Sequence, residues 1–359
     1  MSAASWCASR LAQRQQMKIT FFVLPLAASF PFVTGANAQS DAAPVGAAPA
    51  ESAPANSAQT PEPSGAPPDS AQAPEPPASA KPKPPPYSLP FQLRGVIPGN
   101  VVRSDSTLGL YENAAGSETG SAFVSTLLAS YKLSDEFSPI VRVGVVSNSP
   151  PSPANSATNF MNPVLGALYG LKLSPELRLG LFLGVTVPVG GGGGNTAAAE
   201  NKAANAAGIA ARNAMDNAMF AVNDFTVFPG VDLAFISSGF TAQVEATLLQ
   251  LTRVRGDDRA QPDSSRTNFT MGLHLGYFLV PELSLGAEIR HQRWLSTPRA
   301  VETNSAARDT TTFAVGPRVH LKLAEKMWLR PGVSFSMPID KPYSDAKYKN
   351  IQLDIPFVF

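Results

Sequence analysis

The chain of 359 residues is short of several things, and each shortage closes a class of reading. It has one cysteine, Cys7, within a segment that reads as removed on export, so disulfides, thiolate metal sites and a cysteine nucleophile are closed to the mature protein. Charge is sparse, at 15% of residues, and nearly balanced: 28 Lys and Arg face 27 Asp and Glu, a formal +1. That balance gives nucleic acid or an acidic partner no electrostatic hold. Beyond the N-terminus no apolar run reaches the roughly 18 residues a spanning helix needs, which excludes a multi-span helical membrane protein.

Proline, by contrast, is abundant and unevenly spread: 15 of the 34 lie between residues 41 and 90. Residues 1–38 read as a secretory signal peptide, with Met17 as an alternative start. Met17-Lys18 is a short basic opening, residues 19–33 are apolar but broken by Pro25 and Pro31, and Ala36-Asn37-Ala38 is a small-x-small cleavage site. The stretch is too short and wrongly flanked for a stable spanning helix; a retained N-terminal anchor is the competing reading. Residues 39–97 read as a disordered periplasmic tether. Up to residue 88 they are almost wholly Ala, Pro, Ser, Glu, Gln and Lys, with no large apolar side chains to offset the entropy of ordering. Such a segment is an extended coil of polyproline II character, a passive spacer or a contact to the cell wall.

From residue 98 to 359 the hydrophobic period is two. Ile351, Leu353, Ile355, Phe357 and Phe359 share one face, opposite Asn350, Gln352, Asp354, Pro356 and Val358, and Leu177 to Val187 repeat the pattern. A helix would scatter these residues round its circumference. The alternation predicts about twelve strands, near 100–113, 121–133, 138–148, 161–173, 177–189, 223–236, 240–254, 267–280, 282–295, 309–323, 326–340 and 346–359. Short turns alternate with mostly longer polar loops. The strands exceed the 5–6 residues usual in soluble sheets and suffice to cross a bilayer when tilted. Their number is even, which puts both ends of the sheet on the short-turn side. An open edge in hydrocarbon would strand backbone N–H and C=O groups, so the fold class is all-β, a closed antiparallel up-and-down transmembrane barrel. The competing reading is a soluble sandwich.

The terminal Phe359, with apolar residues at every second position back to Ile351, resembles the C-terminal assembly signal of Gram-negative outer-membrane β-barrel proteins. The resemblance implies recognition of Ile351, Leu353, Ile355, Phe357 and Phe359 by the barrel-assembly machinery, and insertion into outer-membrane lipid from the periplasm. Asn162-Pro163-Val164-Leu165-Gly166 is loosely similar to a motif of outer-membrane proteins linked to uptake of aromatic compounds.

Strand parity then sorts the residues. Tyr131, Tyr169 and Tyr277 fall on the lipid side near the short turns, as an interfacial girdle requires. The lumen side collects Arg103, Lys132, Arg142, Lys172, Arg178, Arg290, Arg318, Lys322 and Arg330, opposed by Asp105, Asp232, Glu245, Glu288, Asp340 and Asp354, together with His274 and His320. Isolated desolvated charges cost several kcal/mol each, so these groups either pair or stand in water. Wet, they make a small channel with a mild preference for anions; paired, they make a plugged barrel that anchors or interacts.

The loop at 190–222 bears on that choice. It starts with five glycines, Gly190 to Gly194, and continues as an Ala-rich stretch to Phe220 of helix-forming composition, which predicts a short helix between the fifth and sixth strands. That helix either folds into the lumen or stands on the cell surface. The glycines are not a phosphate loop, lacking the Lys-Ser/Thr ending. No Ser–His or Asp–His spacing suggests catalysis, His291 is a lone rim residue, and His274 with His320 lacks a third metal ligand. The reading is therefore a non-enzymatic outer-membrane barrel without cofactor, passing a small solute through a charged lumen gated by residues 190–222. The alternative is a non-conducting barrel whose tether contacts the cell wall.

Overall fold

The computed structural model describes residues 87–359 apart from 113–115, 117 and 257–262; the signal peptide and the tether up to residue 86 lie outside the described residues. Twelve antiparallel strands form the wall. They are β1 (Val101–Glu112), β2 (Thr119–Ser130), β3 (Phe137–Ser149), β4 (Ala157–Phe160 and Val164–Lys172), β5 (Leu177–Thr186) and β6 (Asp224–Ser237). The series continues with β7 (Phe240–Arg253), β8 (Ser265–Val280), β9 (Leu283–Trp294), β10 (Asp309–Val319 and Leu321–Lys322), β11 (Trp328–Leu329 and Gly332–Pro338) and β12 (Lys349–Val358). Each pairs with its sequence neighbours, and β1 closes on β12 from Val101↔Val358 to Leu110↔Lys349. No edge is left for lipid to meet.

Breaks in the wall have local causes. β4 is interrupted at Pro163, which has no N–H to give the ladder, and β11 is interrupted at Pro331. The Ser238-Gly239 turn joins β6 to β7 with φ of 50° and 83°, the two left-handed positions of a type I′ hairpin. Long connections lie at the opposite end. One of them, between β9 and β10, carries a short helix, Arg299–Thr303, followed by a 3-10 turn at Ser305–Arg308.

Burial runs in the reverse sense to a water-soluble sheet. On β12, Ile351 and Leu353 are 48% and 43% exposed, whereas Gln352 and Asp354 are 2% and 0%. The same inversion holds for exposed Leu285 and Ile289 against buried Glu288 and Arg290 on β9. Water would not tolerate so continuous an apolar exterior; hydrocarbon demands it. Tyr131, Tyr169 and Tyr277 are exposed at the short-turn end.

The lumen is not empty, and this is where the packed core sits. The 190–222 segment turns inward from the loop end. It forms α1 (Ala199–Ala211) and α2 (Asn217–Phe220), separated by Asn213 and Ala214 at positive φ. Ala207, Ala211, Met219 and Phe220 pack with inward-facing Ala122, Val124, Val146 and Leu249. The predicted tether is corrected at its C-terminal end. Residues 87–97 enter the lumen, with Phe91, Leu93 and Val96 at most 1% exposed, because after Pro86 the composition changes to Tyr, Leu, Phe and Val, which have enough apolar surface to offset ordering.

The exterior makes a direct prediction. Leu353→Arg, near the middle of β12, should destabilise the barrel by about 2–4 kcal/mol. Gln352→Arg, one residue away but inside, should not carry this lipid penalty. Urea-dependent unfolding from liposomes separates the two.

Candidate functional site

Two inserts fill the lumen from opposite ends. From the loop end come α1 and α2. Small side chains let α1 approach the wall: a Cβ on inward-facing Gly109 would stand 3.0 Å from Ala211 Cβ. Asn162, freed from the ladder by the break in β4, clamps the segment at both ends. Its Oδ1 accepts from Gly190 N at 2.9 Å and its Nδ2 donates to the Ala221 carbonyl at 2.9 Å. The glycine run is therefore a bonded corner, with Gly192 and Gly194 at φ of 77° and 81°.

The C-terminal end of α1 is held by charge. Arg212, 1% exposed, donates to Asp105 at 2.7 and 2.9 Å and to Asp216 at 2.7 Å. Asp216 also accepts from Arg142 at 2.6 and 3.0 Å. Burial pushes the Asp216 carboxyl upward, but the Arg142 and Arg212 guanidinia outweigh it and hold the group well below the usual carboxylate range. Two cations thus stand against two anions, each satisfied, as buried charge requires.

From the turn end comes a finger, residues 87–98. Ser88 sits beside Thr241 and Ser284 near the short turns, Gln92 is the innermost point, and Gly99 is back at the turn end beside Ser130. The finger has no strand pairing of its own. The wall instead reads its backbone with side chains. Arg103 donates to the Pro90 carbonyl at 3.0 Å and to that of Phe91, while Arg318 donates to the Leu89 and Pro90 carbonyls at 3.2 Å each. Glu288 accepts from Phe91 N and Glu245 from Arg94 N. Burying Phe91 and Leu93 contributes about 1.5–3 kcal/mol apiece, and a hydrogen bond to a charged group contributes about as much. Apolar burial and the polar contacts hold the finger together, and the polar contacts also set its register.

The residues singled out by parity fall into these groups. Arg103 and Arg318 share Asp354 at 2.6 and 2.5 Å. Glu288 pairs with Arg290 at 2.5 Å and approaches His274 at 3.3 Å. Asp232 and Glu245 face Arg94 of the finger at 3.4 and 3.3 Å. His320 bonds Ser284 at 2.9 Å and stacks on Phe278, so it does not join His274, and among the described residues no cluster of three His, Cys, Asp or Glu is placed to hold a metal. Asp340 accepts from Thr311 N at the loop end. Arg178, Arg330 and Lys322 lie round a cavity at the turn end. Lys132 and Lys172 are corrected: both are exposed at the turn rim, Lys132 on Asp135 at 2.5 Å, because strand parity loses its meaning where the ladder stops and long ammonium stems reach for water. His291, also at the rim, bonds Thr311 at 3.0 Å.

Parity missed Arg94, Arg212 and Asp216, none of which is on a strand. The one available signal was a pair of opposite charges four residues apart closing an Ala-rich run. It also missed the amides Gln92, Asn162 and Gln352, which have no charge to draw notice.

The inserts meet at mid-lumen. Gln92 Nε2 donates to the Arg212 carbonyl at 2.5 Å and Asn213 Nδ2 donates to Gln92 Oε1 at 3.1 Å. On the turn side of this junction lies a cavity of 1350 Å³. A second, smaller space of 90 Å³ lies between Arg142, Phe182, Met215, Asp216 and Phe228.

No family profile matches the chain, and no curated protein does. Among solved structures the chain is similar to an outer membrane channel from Pseudomonas putida F1, with 16% identity and a TM-score of 0.47 over 76% of this chain and 100% of that one. It is also similar to the NanC porin (9%, 0.43, over 71% and 98%) and the KdgM porin (8%, 0.41, over 72% and 99%). These likenesses are distant; the closed twelve-stranded wall and its inverted exterior stand on this chain's own geometry.

Arg212→Ala leaves Asp105 without its main partner, and should release the insert rather than the wall: amide exchange over 199–220 rises while the strand amides stay protected. Because the Asp216 carboxyl titrates below its ordinary value of about 3.9, its contribution is fully present above that value and fades only as pH falls beneath it. The protection factor over 199–220, that is, exchange corrected for the intrinsic pH dependence of amide chemistry, should therefore stay flat between pH 8 and 5.

Proposed function

We propose that this protein is an outer-membrane channel for passive passage of a small solute, closed in the conformation described, with the 190–222 segment as its gate. The observation that supports the reading is the way the water-sized space ends. A cavity of 1350 Å³ opens at the turn end, and a second space of 90 Å³ lies where Met215 and Asp216 of the gate segment meet Gln92 and Arg94 of the finger and the wall. The wall behind the gate joins an apolar patch, Ala122, Val124, Val146 and Leu249, to the charged pair Asp105 and Arg142, so those charges take up water when the gate leaves and remain near one another. Arg178, Arg330 and Lys322 at the cavity have no carboxylate partner among the described residues, which favours anions, since selectivity follows the sign of the lining.

The outward Ile351, Leu353 and Phe359 are exposed, with Phe357 and Phe359 stacked at 5.6 Å. We assign them to recognition by the assembly machinery, with the long loops on the cell surface and the N-terminal tether in the periplasm.

The complete pairing of the deep charges favours the second reading, a non-conducting barrel serving anchoring or surface interaction. Planar bilayers discriminate. With residues 195–221 replaced by a short Gly-Ser linker, steady openings several-fold more frequent than in the intact protein, with reversal potentials on the anion side, support the channel. Silence from both proteins, together with cell-wall capture that depends on residues 39–86, supports the anchor.

A further inference from the structure

We propose that the lumen wall carries a binding groove for an extended peptide, filled in cis by residues 87–98, and that this finger is a latch whose withdrawal toward the turn end unlocks the α1–α2 insert. The consequence for passage rests on the channel reading; the latch itself does not.

Three observations carry it. The first is that the groove is shaped for its occupant. Wall glycines stand where the finger's side chains press: a Cβ at Gly272 would overlap Leu93, one at Gly276 would overlap Ser88, and one at Gly332 would come within 2.9 Å of Phe91. A lumen meant only for water has no need of these gaps.

The second is that the finger is separable. The ladder closes from β1 to β12 without it, and it has no strand pairing with the wall. Among the wall groups that grip its backbone, Arg103 and Arg318 are paired with Asp354 and Glu288 with Arg290, while Glu245 and its neighbour Asp232 pair with Arg94 of the finger itself. Its departure therefore leaves the first group paired and hands Asp232 and Glu245 to the water that takes its place. Both of its ends lie at the turn end, so it withdraws without threading the barrel.

The third is that its tip touches the gate. Gln92 bonds the Arg212 carbonyl and Asn213, at the break between α1 and α2. Gln352 then ties the two inserts a second time, donating to the Phe91 carbonyl at 2.9 Å and to Asp105 at 2.8 Å, and Asp105 is the carboxylate that holds Arg212. Withdrawal removes a donor and an acceptor from the break between α1 and α2, where the backbone is left-handed at Asn213 and Ala214. Two inserts joined at one junction open together or not at all.

The test uses the full mature chain in liposomes, with two independent disruptions. One is Gln92→Ala with Leu93→Ala, which alters the finger; the other is Gly272→Leu with Gly276→Leu, which fills the groove and leaves the sequence of both inserts unchanged. Heat-modified gel mobility confirms that each variant forms a barrel. The expected result is that amide exchange over 199–220 accelerates on the order of tenfold in both, with the strands unchanged. A synthetic peptide of residues 87–98 added from the turn side should restore protection in the finger variant but not in the groove-filled one, and a scrambled peptide should do nothing. Unchanged exchange over 199–220 in both variants, or restoration by the scrambled peptide, overturns the latch. Conductance measured in parallel separates the two readings: accelerated exchange with silent bilayers keeps the latch and removes the channel.

Discussion

A sheet surrounded by hydrocarbon has no tolerance for an unpaired backbone edge, since each bare N–H or C=O there costs several kcal/mol. Everything else in this molecule follows from that constraint. It forces β1 onto β12, closure fixes a lumen, and a lumen walled by alternate residues receives whatever the outer face cannot present to lipid. The charges inside are thus a consequence of the closure as much as of any solute. Their satisfaction is the second problem that the fold must solve.

The two inserts solve it in different ways. The loop-end segment brings its own charges, Arg212 and Asp216, and closes a four-membered network with Asp105 and Arg142. The turn-end finger brings mainly backbone and apolar side chains, and the wall's side chains pair with each other while also bonding its carbonyls and amides. The first arrangement is a lock that depends on both parties. In the second, Arg103, Arg318 and Asp354, and Glu288 and Arg290, pair within the wall, while Asp232 and Glu245 take Arg94 from the finger.

The finger also explains a feature of the wall with no other evident cause. Inward-facing glycines weaken strands, having no side chain to pack and an entropic cost on ordering. Here that loss is offset where the finger lies, because the missing Cβ atoms are the space that Ser88, Phe91 and Leu93 occupy.

The local pattern by itself determined the strands, their approximate ends, the face that meets lipid, and the even count. A period of two is a property of the extended backbone, and each strand reports it without reference to its neighbours. Arg103, Asp105, Arg318 and Asp354 were legible as inward-facing for the same reason. Only the tertiary structure decided which of them meet, since Arg103 and Asp354 are 251 residues apart and are joined by barrel closure alone. It alone decided that the Ala-rich helix turns inward, and that the residues after Pro86 leave the tether and enter the lumen. Neither segment carries a periodic signal, and what places them is complementarity to a cavity that exists only once all twelve strands have closed.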